Sequence, residues 1–154
     1  MVRSEKKIGE ILIEEGLITL EQLEAALREQ GRSKKFLGEI LVAMQLIKEE
    51  DLYATLSRQY GIRLVSLKGN PLDWQFLKGF MPSLVLDYKC MPVERDEWSV
   101  TIAITNPLDV WMMQKAEEAA RGVKVKFVLA SLSDMEDAVV RYRLLLQQRL
   151  TDEG

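Results

Sequence analysis

Residues 7–30 read KIGEILIEEGLITLEQLEAALREQ, and residues 36–59 read FLGEILVAMQLIKEEDLYATLSRQ. Aligned at an offset of 29 without a gap, the two stretches are identical at eleven of 24 positions. The identical pairs are Gly9/Gly38, Glu10/Glu39, Ile11/Ile40, Leu12/Leu41, Leu17/Leu46, Ile18/Ile47, Glu21/Glu50, Leu23/Leu52, Ala25/Ala54, Leu27/Leu56 and Gln30/Gln59. A match this dense indicates an internal repeat whose two copies pack against each other.

Each copy has the pattern of a short helix, a turn and a longer helix. In the first copy, Gly16 fits the left-handed position that ends a helix, and Thr19 is placed to begin a capping box. The second copy has Gln45 and Lys48 at these places, so its local signals are weaker. We predict a helical subdomain over residues 1–60 with four helices and pseudo-two-fold character. Its shared core is predicted to contain Leu23, Leu27, Leu52 and Leu56.

The rest of the chain, residues 61–154, alternates between strand-like and helix-like runs. This order predicts an α+β subdomain in which helices pack on one side of a small sheet. Strands are expected at about 62–67, 88–93, 98–104 and 124–129, and the middle two form an antiparallel hairpin across Arg95-Asp96-Glu97. Helices are expected at 71–80, from the cap residue Asp109 to about Arg121, and from the cap residue Ser133 to about 148.

The composition excludes several classes of protein. There is no histidine, so a Ser-His-Asp triad, a Cys-His dyad and a His-ligated metal cannot form within this chain. The single cysteine, Cys90, excludes an internal disulfide, and its apolar neighbours predict a buried thiol. Acidic residues outnumber basic ones by 24 to 21, which argues against DNA or RNA as a partner. The short apolar runs and the N-terminus lack the pattern of a membrane span or a secretory signal, so a cytoplasmic protein is expected.

No catalytic arrangement is evident in the sequence. A P-loop requires Gly-Lys at its end, and this pair does not occur, so the chain cannot be a P-loop ATPase by itself. Paired carboxylates such as Glu14-Glu15 and Asp96-Glu97 lie in helix-face or turn contexts typical of solvated surface. We therefore predict a non-enzymatic chain without a metal or a cofactor, and a small hydrolase is a remote alternative.

The glycines and glutamines of the repeat allow two interpretations. Gly9 and Gly38 lie near helix starts, where free N–H groups attract anions and glycine allows close approach. Gln30 and Gln59 end the longer helices and offer donors and acceptors suited to a nucleobase edge. Alternatively, the glycines permit tight helix crossing and the glutamines are merely exposed, which physical reasoning alone favours.

The repeat resembles the tandem motif in the N-terminal domains of bacterial type II secretion and type IV pilus assembly ATPases. That motif runs Arg-Leu-Gly-x-x-Leu, then x-x-x-Gly-Leu-Ile, then Leu-x-x-x-Leu-x-x-Gln. The second half is also similar to the family, through Thr105-Asn106-Pro107-Leu108-Asp109 after a strand and a closing helix that includes Tyr142. The resemblance covers residues 7–145, and it implies a regulatory domain of a motor ATPase.

In some members two such motifs bind cyclic di-GMP, so the resemblance implies a ligand site here. Its candidate residues are Lys7, Ile8, Gly9, Gly16, Leu17, Leu23, Leu27, Gln30, Phe36, Leu37, Gly38, Leu46, Leu52, Leu56 and Gln59. Lys7 and Phe36 stand where the family has arginine, and Gln45 replaces the second glycine. Neither the lysine nor the phenylalanine offers the planar donor fork of a guanidinium, so we expect binding of cyclic di-GMP to be weak or lost.

In other members the N-terminal domain docks the ATPase to the cytoplasmic part of an inner-membrane platform protein. Our leading hypothesis is a non-catalytic docking domain of this kind, recruited to the membrane through its partner, with an ATPase core in cis or in trans. The alternative is a cyclic di-GMP receptor. Tryptophan is enriched at interface hot spots, and the docking candidates are Trp98, Trp111, Met112 and Met113. At least one of the last three should be exposed, unless Trp98 and Trp111 simply pack on each other.

Overall fold

The computed structural model describes residues 8–69 and 71–153. They form two compact units, one ending at Ile62 and the other beginning at Arg63. The mixed α+β class predicted from the sequence is confirmed.

The first unit contains the four predicted helices, α1 (Ile8–Glu14), α2 (Leu20–Ser33), α3 (Leu37–Ala43) and α4 (Glu49–Tyr60). Helix α2 begins with the predicted capping box. The Gln22 N–H donates to the Thr19 hydroxyl at 3.2 Å, and the Thr19 N–H donates to the Gln22 side-chain oxygen at 2.9 Å. Helix α4 lacks such a cap, because Lys48 makes no side-chain capping bond. Its start is held instead by the packing of its apolar residues.

The turn between the helices of each repeat uses a left-handed residue. Gly16 has φ +75°, and Gln45 has φ +60° at the equivalent place in the second repeat. Glycine adopts this conformation without a steric cost, whereas a residue with a Cβ pays about 1–2 kcal/mol. The second repeat therefore keeps the turn geometry of the first at the expense of stability.

Three of the four leucines predicted for the core are buried, namely Leu23, Leu52 and Leu56. The prediction for Leu27 is wrong, because 46% of this residue is exposed. A helical stripe identifies one face of α2 but not how far neighbouring elements cover it. Leu23 packs over Gly9 of α1, whereas Leu27, one turn further along α2, is left exposed.

The second unit contains four helices and one three-stranded sheet within its described residues. The elements are α5 (Trp74–Leu77), α6 (Pro82–Leu86), β1 (Met91–Arg95), β2 (Ser99–Ile104), α7 (Val110–Ala119), β3 (Lys124–Leu129) and α8 (Leu132–Glu153). The strand order is β1-β2-β3, with β1 and β2 antiparallel. Strands β2 and β3 are parallel and are connected through α7.

The hairpin is present, but its first strand begins at Met91 and not at residue 88. Lys89 is left-handed, with φ +51°, and the Cys90 N–H donates to the Leu84 carbonyl, so residues 88–90 close the end of α6. The turn is fixed by Asp96, whose carboxylate accepts from the N–H groups of Trp98 and Ser99. A bulge lies between Pro92 and Glu94, in the middle of β1.

The expectation of helices on one side of the sheet is wrong, because both faces are covered. Val100, Ile102 and Ile104 pack with Met112 and Ala116 of α7. The opposite face packs against α8, through the cluster that contains Ala103, Val128, Met135 and Ala138. The polar residues Ser99 and Thr101 of β2 are buried as well, and the Ser99 hydroxyl is bonded to Asp96.

The strand expected at 62–67 is reduced to a single bridge between Leu64 and Leu129. Further along this segment, the backbone of Leu67 is hydrogen-bonded to side chains of α8. The Asp134 carboxylate accepts from the Leu67 N–H at 2.9 Å, and Arg141 donates to the Leu67 carbonyl at 2.7 Å. These side chains take the backbone groups that a longer strand would have used.

Two helix starts also differ from the predictions. The helix expected at 71–80 is the single turn α5, capped by Asp73 as predicted, and the chain turns at Gly79. The cap of α8 is Ser131 and not Ser133, because the Ser131 hydroxyl accepts from the Asp134 N–H at 3.2 Å. Helix α7 follows its predicted cap, Asp109.

Candidate functional site

The two repeat glycines lie under equivalent leucines. A Cβ at Gly9 would lie 2.6 Å from a δ-methyl group of Leu23. A Cβ at Gly38 would lie 2.8 Å from a δ-methyl group of Leu52 and 2.9 Å from the ring of Phe36. Both glycines are buried. The sequence offered two interpretations of these glycines, and close helix packing matches the structure. The space that a Cβ would occupy at each glycine is filled by a leucine side chain.

The two repeat glutamines make different contacts. The Gln30 side-chain amide donates to the Lys35 carbonyl at 3.1 Å, which ties the end of α2 to the start of the second repeat. The Gln59 side-chain amide donates to the Glu15 carboxylate at 3.2 Å. Both glutamines are half-buried and have a polar partner, and each amide keeps a second N–H and its oxygen for a further hydrogen bond.

Glu15 follows α1 and is the centre of a polar cluster, which we call the Glu15 cluster and which also contains Thr55, Arg58 and Gln59. The Thr55 hydroxyl donates to one carboxylate oxygen at 3.0 Å, and Arg58 donates to the other at 2.5 Å. The hydrogen bond from Arg58 is the main cause that lowers the pKa of Glu15, and Thr55 and Gln59 add to it. Sequence reasoning singled out Gln59 as a ligand candidate but missed Glu15, Thr55 and Arg58. Thr55 lies three positions before Arg58 and four before Gln59 on one face of α4, and this spacing was a usable signal; nothing local points to Glu15.

The remaining ligand candidates fall into three groups. Ile8, Leu23, Leu37, Leu52 and Leu56 are buried. Leu17, Phe36 and Leu46 are half-buried, Gly16 and Leu27 are exposed, and Lys7 lies outside the described residues. Leu27 is thus the exposed leucine of this set, and Leu17, Phe36 and Leu46 are partly accessible to a ligand.

The docking candidates are unequally exposed. Trp98 is 79% exposed and Trp111 is 58% exposed, whereas Met112 is buried and Met113 is half-buried. The expectation that at least one of Trp111, Met112 and Met113 is exposed is confirmed. The alternative in which Trp98 and Trp111 pack on each other is wrong. Trp98 precedes the first residue of β2, and Trp111 follows its last residue by a short loop, so the two indoles lie near opposite ends of a strand about 20 Å long.

Trp111 is held by two neighbours. Its ring meets the ring of Tyr88 edge to face, with centroids 5.4 Å apart. The ammonium of Lys115, one turn further along α7, lies 5.4 Å from the Trp111 ring centroid. Such contacts order the indole while leaving much of it accessible. Sequence reasoning missed Tyr88, because nothing in the local pattern places the end of α6 beside α7.

A surface cavity of about 310 Å³ lies beside this aromatic pair. Its wall includes Met81, Tyr88, Lys115 and Arg121. Met81 is exposed and stands just before the proline that starts α6. We call the surface formed by Met81, Tyr88, Trp111 and Lys115 the Trp111 surface. It combines apolar area with an ion pair at its rim, in which the Lys115 ammonium lies 3.5 Å from the Glu118 carboxylate.

Within residues 8–69 and 71–153, no group of acidic side chains and Cys90 is arranged to hold a metal ion. Over the same residues, no helix combines the length and apolar character that crossing a bilayer requires.

The sequence pattern of one protein family, the MshEN domain, matches residues 60–149. The chain belongs to this family. The matched residues lie almost entirely in the second unit. The resemblance noted from the sequence rested mainly on the repeat, which lies in the first unit. The MshEN chain is 28% identical over 136 residues to the type IV pilus assembly ATPase PilB of Myxococcus xanthus strain DK1622. This alignment covers 88% of the chain and 24% of PilB, so the chain spans about a quarter of that relative.

Two solved structures share the fold of this MshEN chain. A structure of MshE with cdg, the abbreviation of cyclic di-GMP, has a TM-score of 0.76 at 23% identity and covers 90% of this chain and 99% of that one. The N-terminal domain of XpsE has a TM-score of 0.69 at 18% identity and covers 92% and 96%. The resemblance to N-terminal domains of secretion and pilus ATPases is therefore confirmed.

Proposed function

We propose that this MshEN chain is a non-catalytic regulatory and docking domain of a type II secretion or type IV pilus motor ATPase. Its partner is the cytoplasmic part of an inner-membrane platform protein, which would recruit it to the membrane. The ATPase core would be supplied in cis or in trans. The observation that carries this proposal is the ordered but accessible indole of Trp111.

The Trp111 surface has the composition of an interface hot spot. A large aromatic side chain that stays exposed is costly in water and becomes favourable when a partner covers it. Tyr88 and Lys115 restrict the indole before binding, so little side-chain freedom remains to be lost. The adjoining cavity offers room for one apolar side chain of the partner, and the ion pair of Lys115 with Glu118 at its wall offers both a cation and a carboxylate to polar groups beside it.

The test compares Trp111→Ala with Leu20→Ala, which removes a side chain of similar exposure from α2 in the other unit. Binding to the purified cytoplasmic domain of the platform protein from the same operon or strain is measured by biolayer interferometry. A hot-spot tryptophan predicts a loss of about thirtyfold or more for Trp111→Ala. The Leu20 variant should bind as the wild type does. Equal binding by wild type and Trp111→Ala, with both melting alike, would contradict the docking surface.

Cyclic di-GMP binding is the second candidate function, because MshE, which shares this fold, is solved with that ligand. The two repeats retain Gly9, Gly38, Gln30 and Gln59, which would contact a ligand lying across both. Binding by titration calorimetry should strengthen tenfold or more when Lys7→Arg and Phe36→Arg are combined. Each change restores a planar fork of donors for a base or a phosphate. Absence of binding by this double variant would rule out the receptor function.

A further inference from the structure

The donors of the Glu15 cluster converge on one point from a single helix. Thr55, Arg58 and Gln59 occupy positions i, i+3 and i+4 of α4 and therefore share one face. Their hydroxyl, guanidinium and amide groups lie 3.0, 2.5 and 3.2 Å from the carboxylate of Glu15. A cation flanked by two neutral donors is the arrangement that proteins use to hold a phosphate oxygen pair as well as a carboxylate.

We propose that Thr55, Arg58 and Gln59 form an oxyanion cradle for a phosphate-bearing ligand, and that Glu15 fills this cradle in the ligand-free domain as an internal competitor. The proposal rests on the cyclic di-GMP candidate function, because Gln59 belongs both to that site and to the cradle. A ligand phosphate takes the place of the Glu15 carboxylate, and Gln59 exchanges one oxygen acceptor for another.

The Glu15 carboxylate lies near enough to solvent to be displaced from Arg58. The side chain of Arg58 is 59% exposed and that of Glu15 is 25% exposed, so water and solutes reach the ion pair. An ion pair this exposed changes an equilibrium constant by no more than about fivefold. A phosphodiester shares one negative charge between two oxygens, as a carboxylate does, so it can take the same place on the guanidinium. Thr55 is 2% exposed, so a ligand oxygen reaches its hydroxyl at the position that the Glu15 carboxylate vacates.

The cradle occurs in one repeat only. At the offset of 29, the first repeat has Ala26, Glu29 and Gln30 where the second has Thr55, Arg58 and Gln59. Ala26 has no donor, and Glu29 replaces the cation by a carboxylate. The counterpart of Glu15 in the second repeat is Met44. The two halves of the site thus differ, and the cradle would hold a single phosphate of a ligand that spans both repeats.

Two substitutions separate competition from a structural clamp. Glu15→Ala empties the cradle and should raise the affinity for cyclic di-GMP about twofold to fivefold. Arg58→Ala removes the cation and should lower that affinity about tenfold. If the Glu15 cluster only holds the end of α1 against α4, either substitution breaks this contact. Both substitutions should then change the affinity for cyclic di-GMP in the same direction. Glu24→Ala, at an exposed position of α2, is the control, and calorimetric binding is paired with a melt of each variant.

Opposite shifts for the two variants support the cradle, and parallel shifts or none overturn it. If no variant binds the nucleotide, including the Lys7→Arg, Phe36→Arg protein, the receptor function has failed, and inorganic pyrophosphate then tests the cradle alone. Pyrophosphate added to Glu15→Ala should shift the NMR signals of the Gln59 side-chain amide, and this shift should disappear in Glu15→Ala with Arg58→Ala. A Gln59 signal that does not respond overturns the cradle as well.

Discussion

Replacing Gly38 by alanine inserts a methyl group between α3 and α4. The new Cβ would lie 2.8 Å from a Leu52 methyl group and 2.9 Å from the Phe36 ring. Leu52 is fully packed and has little room to retreat, whereas the half-buried Phe36 can move outward. Overpacking of this kind costs about 1–3 kcal/mol. The better helix propensity of alanine returns at most about 1 kcal/mol, so we expect a net loss of about 0.5–2 kcal/mol.

Gly31 provides the matched control for this substitution. It lies within α2, and a Cβ there meets no atom within 4 Å. Gly31→Ala therefore gains helix propensity without a clash and should stabilise the first unit by up to about 1 kcal/mol. Both variants can be compared by urea unfolding followed by circular dichroism at 222 nm. If Gly38→Ala were as stable as Gly31→Ala, close packing would not be the reason for glycine in the repeat.

Three further changes test other parts of the structure. Leu56→Ala should cost about 2–5 kcal/mol because this side chain is 0% exposed, whereas Leu27→Ala should cost less than about 1 kcal/mol; equal losses in urea unfolding would refute the difference. Gln45→Gly should stabilise the chain by about 1 kcal/mol by relieving its left-handed conformation, and an unchanged melt would refute that strain. Burial raises the pKa of the Cys90 thiol to about 12, so it stays protonated and should react with a thiol reagent only after unfolding; rapid labelling of the folded protein would refute its burial.

Local signals predicted the helical unit well. Gly16 and Thr19 mark the end of one helix and the start of the next by chemistry that involves only neighbouring residues. Those signals could not decide between Ser131 and Ser133 as the cap of α8, because both residues are serines and both positions suit a cap. They also could not show that Leu27 is exposed although Leu23, one turn earlier on the same helix, is buried. How far neighbouring elements cover a helix face is decided by tertiary structure.

The candidate site was predicted only in part for the same reason. Gln59 was recognisable from the repeat, but its partner Glu15 lies 44 residues away and belongs to the other copy. The contact of Trp111 with Tyr88 likewise joins α7 to the turn after α6, and local patterns do not relate these two segments. Residue type indicated an exposed tryptophan, whereas the neighbours that hold it depend on how α6 and α7 pack on the same face of the sheet.

The edges of the sheet limit the ways in which another protein can bind this domain. On the β1 edge, Pro92 supplies no N–H, and the bulge before Glu94 interrupts the regular spacing of backbone groups. On the β3 edge, Lys124 and Lys126 are exposed, and Leu64 already pairs with the last residue, Leu129. An incoming strand therefore meets a missing N–H and a bulge on the β1 edge, and two charged side chains and an occupied end on the β3 edge. These features disfavour strand addition, so recognition through side chains is favoured and copies of the domain held close together are less prone to fuse their sheets into aggregates.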